Sequence, residues 1–293
     1  MKTRNLFLGY CVIALILFSY GCKNKPENVA ISSDGVKVNF SQMGKGEPAI
    51  IFVHGWANRA NIWDETMSHF SGKYKTVAVE LFGSDESYNN RDDWSMALFG
   101  EDVAAVIKKL KINQVVLVGF SMGSAVIAET AKLLPEKIIG LVLIDDLQDV
   151  EMKYAPEMIA VMDSFMMDLV TAPTNEKLVN GGFYKKNQEK SFQRVETMLK
   201  SSSQTGWKRS LQSYFKWINE NCIESFKQIK APVTAINSDM EPTKVETFRK
   251  YAPSFQAKII PDVGHLVFWD NPEEFNRLLE ESIQEFVNKT KSE

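Results

Sequence analysis

Histidine and cysteine are both scarce, with three of each in a chain of 293 residues. A protein metal site needs several such ligands gathered at short spacings. His54, His69 and His265 are dispersed, and Cys11, Cys22 and Cys222 form no such group, so no metal is expected. Runs of like charge are also missing. Thirty-four Lys and Arg balance 37 Asp and Glu, for a net charge of −3. That argues against the basic face a nucleic-acid partner requires. No internal repeat stands out, and the only low-complexity tract is the short serine run Ser201 to Ser203. What remains is a globular chain, 44% hydrophobic and long enough for one large domain or a core with an insert.

The beginning of the chain stands apart. In MKTRNLFLGYCVIALILFSYGCKNK, Lys2 and Arg4 precede an uncharged apolar run that ends at Gly21-Cys22. Such a segment reads as an export signal and takes no part in the fold. Gly21-Cys22 resembles a bacterial lipobox, in which the cysteine is lipidated and becomes the new N-terminus, although Ser19 and Tyr20 depart from that pattern. The alternative is an uncleaved anchor, since Asn5 to Cys22 is just long enough to span a bilayer. Either way the expected protein is exported and membrane-tethered. If Cys11 is cleaved away and Cys22 carries lipid, only Cys222 remains and no internal disulfide can form. WINENCIESF offers Cys222 no nearby base, which makes it a small buried filler.

Further along, strands and helices alternate. VKVNF (Val36 to Phe40) has the period-two pattern of a half-exposed edge strand, and AIIFV (Ala49 to Val53) the continuous apolar run of a strand covered on both faces. Asn61 to Phe70 reads as a short helix, TVAVEL as a strand and FGSDESYNNRDDW as a loop. The spacing predicts a helix over Ser95 to Leu110, with Val103, Val106, Ile107 and Leu110 on its apolar face. QVVLVG and IIGLVLID are buried strands flanking a helix from Ser124 to Leu134. From 147 to 228 strands give way to short helices rich in Met, with Trp207 and Trp217. The rhythm returns with PVTAIN, QAKIIP and a helix from Pro272 to about Val287, whose Pro, Glu273 and Glu274 suit a first turn. The expected architecture is an open, mostly parallel α/β sheet with helices on both faces. Its export segment is 1–22, its core 23–146 and 229–293, and its helical insert 147–228.

The stretch VVLVGFSMGSA sets Ser121 between Gly119 and Gly123 at the junction of a strand and a helix. A G-x-S-x-G match alone arises by chance in roughly one protein in ten of this length, so its context decides. Strand, sharp turn and helix together make a nucleophile elbow, with glycines required where a side chain would crowd the backbone. The Met122 N–H, at the start of the helix, is then placed to donate to a developing oxyanion. A serine needs a base at neutral pH. His69 belongs to a surface helix, and His54 directly follows a buried strand. His265, in PDVGHLVFWDNPEEF near the C-terminus, fits the Ser…acid…His chain order and is assigned the base.

Taken together, HGW, GFSMG and PDVGHLVFWDNPEEF resemble the α/β-hydrolase family over about Gly35 to Val287. The resemblance implies an eight-stranded, mainly parallel sheet and a serine-hydrolase triad, with the insert standing as a lid. It also implies that Trp56 supplies the second oxyanion N–H, that Gly55 permits a close loop approach, and that His54 shapes the loop. The acid is expected in AINSDMEPT after the penultimate strand. Asp239 is the first choice and Glu241 the alternative, with Asp145 and Asp146 at the end of LVLIDD as third choices. ELFGSDES departs from the family's D-x-x-G-x-G-x-S loop at Asp85. Dehalogenase and epoxide-hydrolase relatives carry an aspartate at the elbow, where this chain has Ser121.

The implied function is hydrolysis of a small or medium carboxylic ester through an acyl-enzyme, with no cofactor. A Met- and aromatic-rich insert would supply an apolar wall for a small-molecule acyl substrate. Amide, lactone or carbon–carbon bond hydrolysis could use the same residues, and a non-catalytic ligand-binding protein is the alternative of another class. The oligomeric state is not set by the sequence.

Overall fold

The computed structural model of the protein describes residues 28–81, 91–200 and 204–292. The expected export segment with Cys22, and the loop residues 82–90, lie outside them. Among the described residues no helix is long and apolar enough to cross a membrane.

Eight strands form one sheet: β1 (Val29–Ile31), β2 (Lys37–Met43), β3 (Ala49–Val53), β4 (Thr76–Val79), β5 (Val115–Phe120), β6 (Ile138–Ile144), β7 (Val233–Ser238) and β8 (Gln256–Ile260). Their order is β1-β2-β4-β3-β5-β6-β7-β8. β2 runs antiparallel to β1 and β4, and every other pairing is parallel. The continuous apolar runs sit at the centre: β3 and β5 are buried at every residue, as strands covered by helices on both faces must be. β2 alternates as its sequence does, but it is not the edge. That place belongs to β1, which pairs Val29 with Asn39 and is too short for a period-two pattern to show.

The helices follow the sequence closely. Met96–Lys109 is capped by Ser95, whose Oγ accepts the Leu98 N–H at 3.2 Å, and it buries Phe99, Val103, Val106 and Ile107. The helix after β5 is Met122–Leu133, two residues earlier at its start than the spacing predicts, because it begins directly from the Ser121 turn. The last helix, Pro272–Ser292, extends past Val287.

Between β6 and β7 the described chain is helical: Pro156–Thr171, Asn175–Asn180, Gln188–Lys200, Gln204–Glu220 and Cys222–Gln228. Trp207 and Trp217 are buried inside this region. Glu129, on the helix after β5, anchors it by accepting from Trp217 Nε1 at 2.7 Å and from Ser225 Oγ at 2.6 Å. These bonds give a buried carboxylate the partners it needs.

Gly140 shows how tightly the last helix seats on the sheet. A Cβ there would stand 2.0 Å from Cδ2 of Phe286, a ring that is itself 2% exposed. Overpacking of this kind costs about 1–3 kcal/mol. Gly140→Ala should lower stability by about that amount in urea unfolding, and an unchanged midpoint would show the helix to be loosely docked.

Candidate active site

Because β3, β5 and β6 are parallel neighbours, their carboxyl ends open on the same side of the sheet. This is the crevice where ligands bind in open α/β sheets. β3 delivers His54-Gly55-Trp56 there, β5 delivers Ser121 and β6 delivers Asp145.

Ser121 has φ 51° and ψ −127°, a conformation that a residue with a side chain rarely adopts. Its N–H continues the sheet by donating to Ile144 O at 3.0 Å. Both neighbouring glycines are required by the crossing of backbones. A Cβ on Gly119 would meet Gly123 O at 2.4 Å, and one on Gly123 would meet Val53 O at 2.6 Å. At Gly55 a Cβ would press on Phe120 and on Cβ of Ser121 at 3.0–3.1 Å, so the loop after β3 lies directly against the elbow.

Asp145 mirrors Ser121. The register pairs Phe120 with Ile144, and the next residue on each strand turns with positive φ, 51° at Ser121 and 46° at Asp145. The Asp145 carboxylate is almost wholly buried, at 1% exposure, and both of its oxygens are engaged. Oδ1 accepts the Ser238 N–H at 2.7 Å, and Oδ2 accepts from Nδ1 of His265 at 2.7 Å. The His265 ring lies 4.6 Å from that of Phe120, the residue before the serine. Its main chain is held by Gly182 O, which accepts the His265 N–H at 2.7 Å.

The carboxylate that meets His265 is therefore Asp145, and neither Asp239 nor Glu241 does so. The reason is the order of the strands. β6 adjoins the serine-bearing β5, whereas β7 is one strand further away. Asp239 comes after β7 has passed Asp145, and its Oδ1 accepts the Asp262 N–H at 3.1 Å with Lys185 Nζ 3.8 Å away. Glu241 is exposed. The signal for Asp145 was its position one residue beyond a continuous apolar strand.

Met122 opens the helix after β5, and its N–H has no partner within the helix. Trp56 is buried, and its Nε1 donates to Trp207 O of the insert at 2.6 Å. Gly55 O accepts from Nδ1 of His54 at 2.8 Å and from the Asn58 N–H at 3.3 Å. With that carbonyl fixed, a trans peptide turns the Trp56 N–H the opposite way. His54 is wholly buried, and its Nε2 accepts the Leu81 N–H at 3.1 Å. His69 is exposed on its helix. Burial pushes the Cys222 thiol up to about 12, which suits a filler.

Trp56, Ser121, Phe120 and His265 line one narrow cavity of about 40 Å³. The insert closes it with Met166, Val170, Leu178, Phe183, Val195, Met198 and Leu199. The methionines divide: Met166 and Met198 form wall, while Met152 and Met158 are exposed.

Asp146, next to the His265 partner and one of the third choices for the acid, does another job. It accepts from Tyr214 OH of the insert at 2.5 Å, while its Oδ2 is buried without a partner. Burial raises its pKa from the ordinary 3.8 to about 7, against the lowering effect of the Tyr214 hydrogen bond. Between those values the folded protein holds a proton that the unfolded chain releases. The Asp146 contribution to stability should thus fall as pH rises from about 4 to about 7 and level off above. Asp146→Asn should flatten that slope and raise the melting temperature at pH 8, by roughly 2–4 °C per kcal/mol gained. An unchanged slope in the variant would remove Asp146 as its source.

Comparison with known proteins agrees with this fold. A model of the alpha/beta hydrolase fold matches residues 48–272. Epoxide hydrolase 3 of Xenopus tropicalis is 20% identical over 283 residues, spanning 88% of this chain and 77% of the relative. The pimeloyl-[acyl-carrier protein] methyl ester esterase of Wigglesworthia glossinidia brevipalpis is 24% identical over 257 residues, covering 83% and 96% of the two chains. Among solved structures, a malate-bound thermophilic esterase from Thermogutta terrifontis superposes with a TM-score of 0.73 at 17% identity, covering 88% of this chain and 98% of that one. The chain belongs to the alpha/beta hydrolase fold family.

Proposed function

We propose that the protein is a serine hydrolase that cleaves a small or medium carboxylic ester through an acyl-enzyme. The observation that carries this reading is the 2.7 Å hydrogen bond between His265 Nδ1 and the buried Asp145, in a cavity that His265 shares with a strained Ser121. With Nδ1 committed to the carboxylate, Nε2 is the nitrogen left to exchange a proton. His265 takes the Ser121 proton as Oγ attacks the ester carbonyl. The negative charge moves to the carbonyl oxygen, which the Trp56 and Met122 N–H groups hold. Collapse expels the alkoxide, which leaves as the alcohol with the proton from His265. Water, deprotonated by His265, then attacks the acyl-serine. The acid departs and Ser121 regains its proton. Asp145 orients the ring and stabilises the imidazolium throughout.

An esterase among the relatives and another among the structural neighbours favour the ester as the bond cleaved. The serine at the elbow separates this chain from an aspartate-ester mechanism, although an epoxide hydrolase is also a relative. The basic start and apolar run before Cys22 support an exported, membrane-tethered enzyme, with the helical insert acting as its lid.

A fluorophosphonate probe should label the wild type and fail to label Ser121→Ala. Asp145→Asn should lower ester turnover by about ten-thousand-fold, while Asp239→Ala and Glu241→Ala should stay within about twofold of wild type, as surface changes do. A folded wild type that resists labelling would favour a non-catalytic binding protein. A crippled Asp239→Ala beside an active Asp145→Asn would overturn the acid assignment.

The small cavity also sets a preference. Nitrophenyl acetate and butyrate should be turned over faster than the octanoate, and Met198→Ala should shift the preference toward the longer chain. Equal rates across the series would show that the insert does not limit the acyl group.

A further inference from the structure

Asp270 lies in the same PDVGHLVFWDNPEEF segment as His265, yet the proposed reaction gives it no task. It is 4% exposed and accepts three backbone hydrogen bonds. Lys185 N–H donates to Oδ2 at 2.7 Å, Gly264 N–H to Oδ2 at 2.8 Å, and Lys186 N–H to Oδ1 at 3.0 Å. The side chains of the two lysines turn elsewhere, with Nζ of Lys185 3.8 Å from Asp239 and Nζ of Lys186 3.7 Å from Asp262. Main chain, not side-chain charge, is what Asp270 gathers.

Two of the donors belong to the helical insert, and the third is the residue immediately before His265. The same two segments are joined again by His265 N–H to Gly182 O at 2.7 Å and Leu266 N–H to Phe183 O at 2.8 Å. They touch so closely that a Cβ on Gly264 would stand 2.6 Å from Cα of Tyr184. A buried carboxylate bonded to backbone N–H groups makes charge-assisted hydrogen bonds, stronger than those between neutral partners.

We propose that Asp270 is a positioning residue for His265, locking insert residues 182–186 to the histidine loop so that one carboxylate sets the seat of the insert and the place of the base together. This rests on His265 being the general base. Phe183, inside the locked stretch, also lines the serine cavity, so the wall that meets the acyl group and the base that drives the reaction move as one piece.

Asp270→Asn keeps the shape but turns an amide N–H toward a backbone N–H, and it removes the charge. In the full-length protein, with sites counted by fluorophosphonate labelling, kcat per labelled site should fall at least about tenfold, the effect of losing one such bond. KM should change much less. Trypsin cleavage after Lys185 or Lys186 should quicken by a similar factor. Wild-type kcat per site, or an unchanged cleavage rate, would overturn the proposal. A fall in the number of labelled sites at constant rate per site would do the same, since it marks loss of fold alone. Should the variant not fold, hydrogen exchange on the wild type decides. The Lys185, Lys186, Gly264 and His265 amides should share one protection level, and widely different levels would contradict the lock. A wild type that cannot be labelled sinks the hydrolase reading and this proposal with it, whereas a labelled wild type with an unaffected variant sinks the proposal alone.

Discussion

Two parallel strands that end in register set the geometry of the whole site. Phe120 of β5 pairs with Ile144 of β6, and the next residue on each strand, Ser121 and Asp145, turns into positive φ. Each such conformation costs on the order of 1–3 kcal/mol and persists only where its surroundings over-determine it. Here they do. The Ser121 N–H is held by Ile144 O, the Asp145 N–H by Ile236 O, and an Asp145 carboxylate oxygen by the Ser238 N–H. Strand pairing thereby fixes an alcohol and a carboxylate side by side. The loop after β8 then brings His265 onto the carboxylate.

The helical insert completes the site and limits it. It fastens to the core through several buried polar groups, among them Glu129 with Trp217 and Ser225, Asp146 with Tyr214, Trp56 with Trp207 O, and Asp270 with the Lys185 and Lys186 N–H groups. Its apolar residues reduce the space beside Ser121 to about 40 Å³, little more than a few waters need. Binding sites usually combine an apolar wall with a small number of placed polar groups. In this cavity the insert supplies apolar wall opposite Trp56, Phe120 and Leu266 of the core, and Ser121 and His265 are among the polar groups.

Most of the core was legible in the amino-acid sequence because the signals are local. AIIFV, VVLVGF and IIGLVLI are unbroken apolar runs, and the structure makes each a buried strand. The GFSMG turn was readable as a motif between a strand and a helix, although only Gly119 answers to a clash within the turn, and Gly123 answers to Val53 of the neighbouring strand. β1 was not, because three residues cannot display a period. Nor was the partner of His265. Asp239 and Asp145 each follow a strand, and only the order of those strands in the sheet separates them. Order is a property of long-range pairing, which no window of sequence contains. Asp270 escaped for a related reason, since its partners Lys185 and Lys186 lie far away along the chain.

The most direct test of the account is a crystal structure of the protein after reaction with a small fluorophosphonate. The account predicts phosphorus bonded to Ser121 Oγ and the phosphoryl oxygen about 2.7–3.1 Å from the Trp56 and Met122 amide nitrogens. Asp145 should still hold Nδ1 of His265. Phosphorus bonded elsewhere, a phosphoryl oxygen turned away from both amides, or His265 bonded to Asp239 would contradict it.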